Sequence, residues 1–126
     1  MSCNCGSEDT LIFACSGGSN VGQIANDAGK ALDQLGQGRM YCLIGVGADI
    51  PSFVEATRKA ARVVAIDGCG VACAKTTLEK AGITPDAYVV ATDLGIEKGH
   101  HFEHTKEQVA QVAAKAAESL ASCACN

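Results

Sequence analysis

Aromatic residues are scarce in this sequence: two Tyr, three Phe and no Trp make up 4% of its 126 residues. A core must therefore be packed from Ala, Val, Ile and Leu, which suits helices lying close against a sheet. No apolar run approaches the ~20 residues that a membrane-spanning helix requires. Cationic residues are also few, 10 Lys and Arg against 14 Asp and Glu, for a net charge of −4. No basic stripe interleaved with aromatics occurs, so the clustered cations that hold phosphate backbones are missing and nucleic acid is not expected as a partner. Nor is a secretory leader evident. The opening Met1-Ser2-Cys3-Asn4-Cys5-Gly6-Ser7-Glu8-Asp9 is polar and acidic, which makes the cytoplasm the expected location and a membrane an unexpected partner.

What the sequence does have is cysteine, eight in all, within a chain that is 48% hydrophobic. A chain of this length can bury about two thirds of its unfolded surface in one domain, so it does not depend on disulfides for a core. With reduced thiols expected in that setting, the cysteines are inert, metal-bound or catalytic, and their positions decide which.

Four short runs rich in β-branched residues, Leu11–Ala14, Tyr41–Val46, Val63–Ile66 and Tyr88–Ala91, have the nearly continuous apolarity of strands buried on both faces. Between them lie segments of helical period. Ile24, Ala28, Ala31, Leu32 and Leu35 share one stripe; Pro51-Ser52-Phe53-Val54-Glu55 carries a capping-box pattern at Ser52 and Glu55. A third helix is predicted from about Val71 to Ala81, stopping at Gly82. The last, opened by Thr105 and Gln108, buries Val109, Val112, Ala113, Ala116 and Leu120.

The alternation predicts a single-domain, three-layer α/β fold with a four-stranded parallel sheet, order 2-1-3-4, and helices on both faces. The domain is expected over residues 10–121, with tails at 1–9 and 122–126 that carry Cys3-Asn4-Cys5 and Cys123-Ala124-Cys125. Those pairs either clasp a second soft metal, form a disulfide, or belong to disordered ends.

Parallel sheets bind ligands beyond the carboxyl ends of their strands. The loops expected there, Cys15–Gly22, Gly45–Ser52, Asp67–Cys73 and Thr92–His104, hold Cys15, Cys69, Cys73 and all three histidines. Cys69 and Cys73 flank a strand-to-helix turn; with the helix starting at Gly70, Cys69 is its cap and Cys73 lies in the first turn, where the helix dipole favours thiolates. The alternative is two small apolar residues at a helix start. Cys15 ends the first strand, and in this order stands beside Cys69, about 4.8 Å away across the ladder. Three such thiols suit tetrahedral zinc, with sulfur ligands at about 2.3 Å.

The turn after Cys15 also has the form of an anion cradle. It lacks the Gly-Lys-Ser/Thr of a nucleotide loop, and Val21 stands where cysteine phosphatases carry an arginine. His100, His101 and His104 are expected as solvated loop residues, although their spacing allows two to meet at a metal. Asp67 and Asp93 are expected mainly as helix caps.

Several pieces together, Cys15-Ser16-Gly17-Gly18-Ser19 with Gly22, Cys42-Leu43-Ile44-Gly45-Val46-Gly47-Ala48, Asp67-Gly68-Cys69 with Cys73-Ala74, and Thr92-Asp93-Leu94-Gly95-Ile96 with Lys98, resemble the DGC-domain proteins, a family described as zinc-binding. The resemblance spans about residues 10–99 and implies zinc held by four cysteines, which map onto Cys15, Cys42, Cys69 and Cys73. The terminal Cys-x-Cys pairs are not part of it. Strand geometry disagrees on Cys42. Placed at the start of a strand Tyr41–Val46, it would lie about 13 Å from the rim. It is then either a core residue or brought to the rim by a shifted register. Iron or another thiophilic metal remains an alternative to zinc. So does a thiol enzyme using Cys15 as nucleophile and Cys69 or Cys73 to resolve a disulfide.

Overall fold

The computed structural model describes residues 9–122; both Cys-x-Cys pairs lie outside the described residues. Four parallel strands, β1 (Thr10–Ala14), β2 (Arg39–Met40), β3 (Arg62–Asp67) and β4 (Ala87–Val90), form one sheet in the order β2-β1-β3-β4. This is the predicted order, and it follows from the chain: each strand returns parallel through a helix, and β1 and β3, buried at every or nearly every position, take the centre.

Five α-helices cover the two faces: α1 (Asn20–Gln34), α2 (Leu43–Gly47), α3 (Pro51–Lys59), α4 (Cys73–Lys80) and α5 (Lys106–Ala121). Alternate residues of β1 supply both cores, as the period of two in a strand requires. Ile12 and Ala14 pack with α1 and α5 residues such as Ile24, Ala28, Val112 and Ala116. Leu11 and Phe13 face the other way, against Val46, Val54 and Leu78 of α2, α3 and α4.

Three local expectations are corrected. Tyr41–Val46 is not a strand. β2 is only Arg39–Met40, and Leu43–Gly47 is helical. A short apolar run does not distinguish a strand from a buried helical turn. Here Gly45 decides, because a side chain on it would stand 2.5 Å from the Phe53 ring, and its absence lets α2 sit directly on α3. The loop Gly45–Ser52 therefore does not follow a strand. Second, α3 has no capping box: Ile50 is its cap without a side-chain bond, and Pro51 occupies the first turn, where its missing N–H leaves nothing unsatisfied. Third, Leu35 leaves the α1 stripe at the helix end and is 71% exposed. The capping box at α5 is present in both halves, Gln108 N–H to Thr105 Oγ1 at 3.1 Å and Thr105 N–H to Gln108 Oε1 at 2.9 Å.

Among the described residues, no helix is long and apolar enough to cross a membrane.

Candidate functional site: a cysteine-lined cleft at the carboxyl rim

The β1–β3 register sets the floor of the site. Ala14 pairs with Ile66, and the Cys15 N–H bonds the Ile66 carbonyl at 3.1 Å, so the chain leaves both central strands at the same level. Directly beyond, the turn Ser16–Ser19 leads into α1. Ser16 adopts a left-handed backbone (φ 51°), and Ser19 caps α1 by accepting the Gly22 N–H at 3.1 Å. Gly22 and Gly68 are required by close approach. A Cβ on Gly22 would stand 2.4 Å from the Gly17 carbonyl oxygen, and one on Gly68 would stand 2.7 Å from the Val21 backbone.

The turn after β3 is built differently. Asp67 is 1% exposed, yet fully engaged: Oδ1 accepts the Ala74 N–H at 2.7 Å, and Oδ2 accepts the Lys75 N–H at 3.1 Å and the Tyr88 hydroxyl at 2.7 Å. Asp67 is thus the cap of α4 from the strand before it, the role expected for it. Asp93 is exposed in the 3₁₀ turn Ala91–Leu94. The predicted start of α4 is corrected: the helix opens at Cys73, after a left-handed Ala72 (φ 59°), and Cys69 lies in the preceding turn, where its carbonyl accepts the Ala72 N–H.

Cys15, Cys69 and Cys73 line one cleft of about 200 Å³, with Gly17, Gly68 and Val71 among its other walls. Cys15 and Cys69 are partly buried and Cys73 is exposed. Burial pushes the Cys15 thiol above its ordinary range. The nearby Asp67 and Cys73 act in the same direction, while N–H groups of Gly17 and Gly68 pull it back. Burial, with the hydrogen bond to Asp67, likewise holds the Tyr88 hydroxyl protonated far above its usual value.

Cys42 is not at the start of a strand. β2 ends two residues before it, and the Tyr41 N–H still bonds the Ile12 carbonyl at 2.9 Å, so Cys42 emerges at the carboxyl rim. The distance argument against it therefore falls with the strand on which it rested. Tyr41 is wedged edge-on to Phe13 (6.0 Å between centroids) and tilted on Phe53 (5.4 Å), which fixes the chain just before Cys42. Cys42 and Cys15 line a second hollow on the other side of Cys15.

Two groups in the cleft carry no thiol. Lys98 Nζ stands 3.3 Å from Cys69 Sγ, and His100 completes the wall. Asn20 brings them there. Its side-chain amide donates to the Glu97 carbonyl at 2.8 Å and accepts the Gly99 N–H at 2.7 Å, clamping this loop to the start of α1. Asn20 was not singled out in the sequence, where it is one polar residue beside a glycine-rich turn. His101 and His104 do not join the cleft: His101 Nδ1 accepts the Glu103 N–H, and His104 Nε2 pairs with Asp27 at 2.9 Å.

The donor chemistry suits a soft metal, but as the side chains stand, no three His, Cys, Asp or Glu among the described residues converge to hold one.

Fold and rim together define a doubly wound α/β domain with cysteines gathered on the loops that follow its central strands. The chain belongs to the DGC domain family, whose model matches residues 11–116. It is similar to the anaerobic and virulence modulator AnvM of Pseudomonas aeruginosa, 38% identical over 88 residues that cover 70% of this chain and 67% of that protein. No solved structure matches it.

Proposed function

We propose that this protein binds zinc, or another thiophilic metal, through Cys15, Cys69 and Cys73, with Cys42 as the fourth donor. The observation that carries the reading is the arrival of three thiols, from the loops after β1 and β3, in one cleft, with Cys42 flanking Cys15 from the loop after β2. Thiolates select soft metals over Mg²⁺ and Ca²⁺. Binding displaces the thiol protons, including that of Cys15, so uptake weakens as pH falls. Lys98, beside Cys69, would offset part of the negative charge that four thiolates bring to a divalent ion. The role is structural or sensory, and the description of the relative as a modulator accords with the second.

Elemental analysis and native mass spectrometry of the reduced protein test the reading. One zinc per chain at the rim is expected, lost in Cys15→Ser and Cys69→Ser. A folded protein whose rim thiols all titrate freely in the presence of zinc would falsify it.

One contact favours a second reading, a thiol enzyme: the lysine ammonium at Cys69 is the kind of neighbour that reactive cysteines have. The direction of the Cys15 shift opposes Cys15 as its nucleophile. Alkylation mapped by mass spectrometry separates the two, because a metal-bound thiolate is quenched and an enzymatic one is not.

A further inference from the structure

The walls of the rim cleft offer a donor that is not a cysteine. Besides the three thiols, four of its side chains carry a heteroatom: Ser19, Asp67, Lys98 and His100. The first three are engaged or unsuited. Ser19 Oγ accepts the Gly22 N–H, both Asp67 oxygens accept hydrogen bonds, and the Lys98 ammonium, beside Cys69 Sγ, has no lone pair to give. His100 differs. Among the described residues, neither of its ring nitrogens has a hydrogen-bond partner. By contrast, His101 Nδ1 accepts the Glu103 N–H, and both nitrogens of His104 meet oxygens, of Phe102 and of Asp27. The one histidine left free is thus the one at the cleft.

Its place is set by main chain. Gly99 donates its N–H to Asn20 Oδ1 at 2.7 Å and accepts the Asn20 N–H at 3.3 Å, while Asn20 Nδ2 donates to the Glu97 carbonyl at 2.8 Å. Three hydrogen bonds from a residue only 4% exposed therefore pin the backbone just before His100 to the start of α1. Cys42 is placed otherwise: it lines the hollow beyond Cys15 and is not among the walls of the cleft.

We infer that His100 is a nitrogen donor to the metal in the cleft, interchangeable with Cys42 at the fourth position beside Cys15, Cys69 and Cys73. The inference rests on the proposed rim site and goes beyond it by naming a donor outside the cysteine set. Zinc takes shells of four cysteines and of three cysteines with one histidine alike. The imidazole binds through a neutral lone pair, whereas a fourth thiol must first give its proton to solvent. A shell with His100 in it therefore leaves less negative charge to be held in a partly buried cleft.

The test is a titration of the reduced full chain with Co²⁺ in place of zinc, because the cobalt spectrum reports the donor set. Each thiolate adds sulfur-to-cobalt charge-transfer absorption, and exchanging sulfur for nitrogen moves the d–d bands to higher energy. C15S/C69S supplies the baseline for cobalt held elsewhere on the chain. Above that baseline, C42S should keep its cobalt, with weaker charge transfer and d–d bands at higher energy than in H100A. H100A should keep it with an all-sulfur spectrum, and C42S/H100A should lose it. Both positions are exposed, and circular dichroism confirms that each variant is folded. Loss of cobalt from folded C42S overturns the inference, as does equal retention in C42S and C42S/H100A, and either result leaves the all-cysteine site standing. A parent chain that takes up no cobalt above the baseline overturns the rim site itself, and this inference with it.

Discussion

The turn from β1 into α1 and the turn from β3 into α4 lie side by side, end at the same level of the sheet and each carry cysteine, yet they cap their helices in opposite ways. The first is self-sufficient: Ser19, the residue before the helix, accepts the Gly22 N–H itself. The second has no local cap, since Ala72 offers no side-chain acceptor, and the first amides of α4 reach back seven and eight residues to Asp67. A remote cap frees the residues between. No side chain between Gly68 and Ala72 has to cap the helix, and the turn carries Cys69 within it and Cys73 at the first residue of α4. The difference shows how one rim can hold one thiol on a locally capped turn and two on a turn whose helix is capped from the strand before it.

Asp67→Ala should break the comparison most sharply. It removes three hydrogen bonds to a buried carboxylate, and a loss of about 3 kcal/mol in urea unfolding is expected. A loss no larger than that from a local cap would show that the remote cap is not what holds α4. Gly22→Ala comes next. Its Cβ would meet backbone rather than a movable side chain, so about 2 kcal/mol should be lost, together with the shape of the cleft. Ser19→Ala deletes the local cap alone and should cost about 1 kcal/mol.

The smallest effect is a pH dependence. Tyr88 ionises at a higher pH in the folded chain than in the unfolded one, so its contribution is complete below pH ~10 and declines as pH rises beyond that, when the unfolded chain gives up its proton first. Cys15 acts in the same direction. Denaturation midpoints should therefore fall at alkaline pH in the parent chain and fall less in Tyr88→Phe. Equal slopes would remove Tyr88 from the account.

Fold class and the helical faces were legible because they rest on period, and period is written along the chain: Ile24, Ala28 and Leu32 on one helix, Val112, Ala116 and Leu120 on another. Cys15, Cys69 and Cys73 were legible as neighbours because parallel strands in register bring their ends together. Cys42 was misplaced because Leu43-Ile44-Gly45-Val46-Gly47 reads as a strand until the ring of Phe53 is known to need the space that Gly45 leaves. The clamp at Asn20 was invisible for another reason. Its partners are main-chain atoms nearly eighty residues away, and backbone groups leave no mark in composition.

Where Gly22 meets Gly17 and Gly68 meets Val21, peptide lies on peptide, so part of the cleft's lining is close-packed main chain. Main chain keeps its chemistry when side chains change, so that part of the lining is not retuned by substitution. Substitution can act through lining side chains outside the family pattern, Val71 and His100 among them. What the cleft admits should therefore change on substitution at those positions.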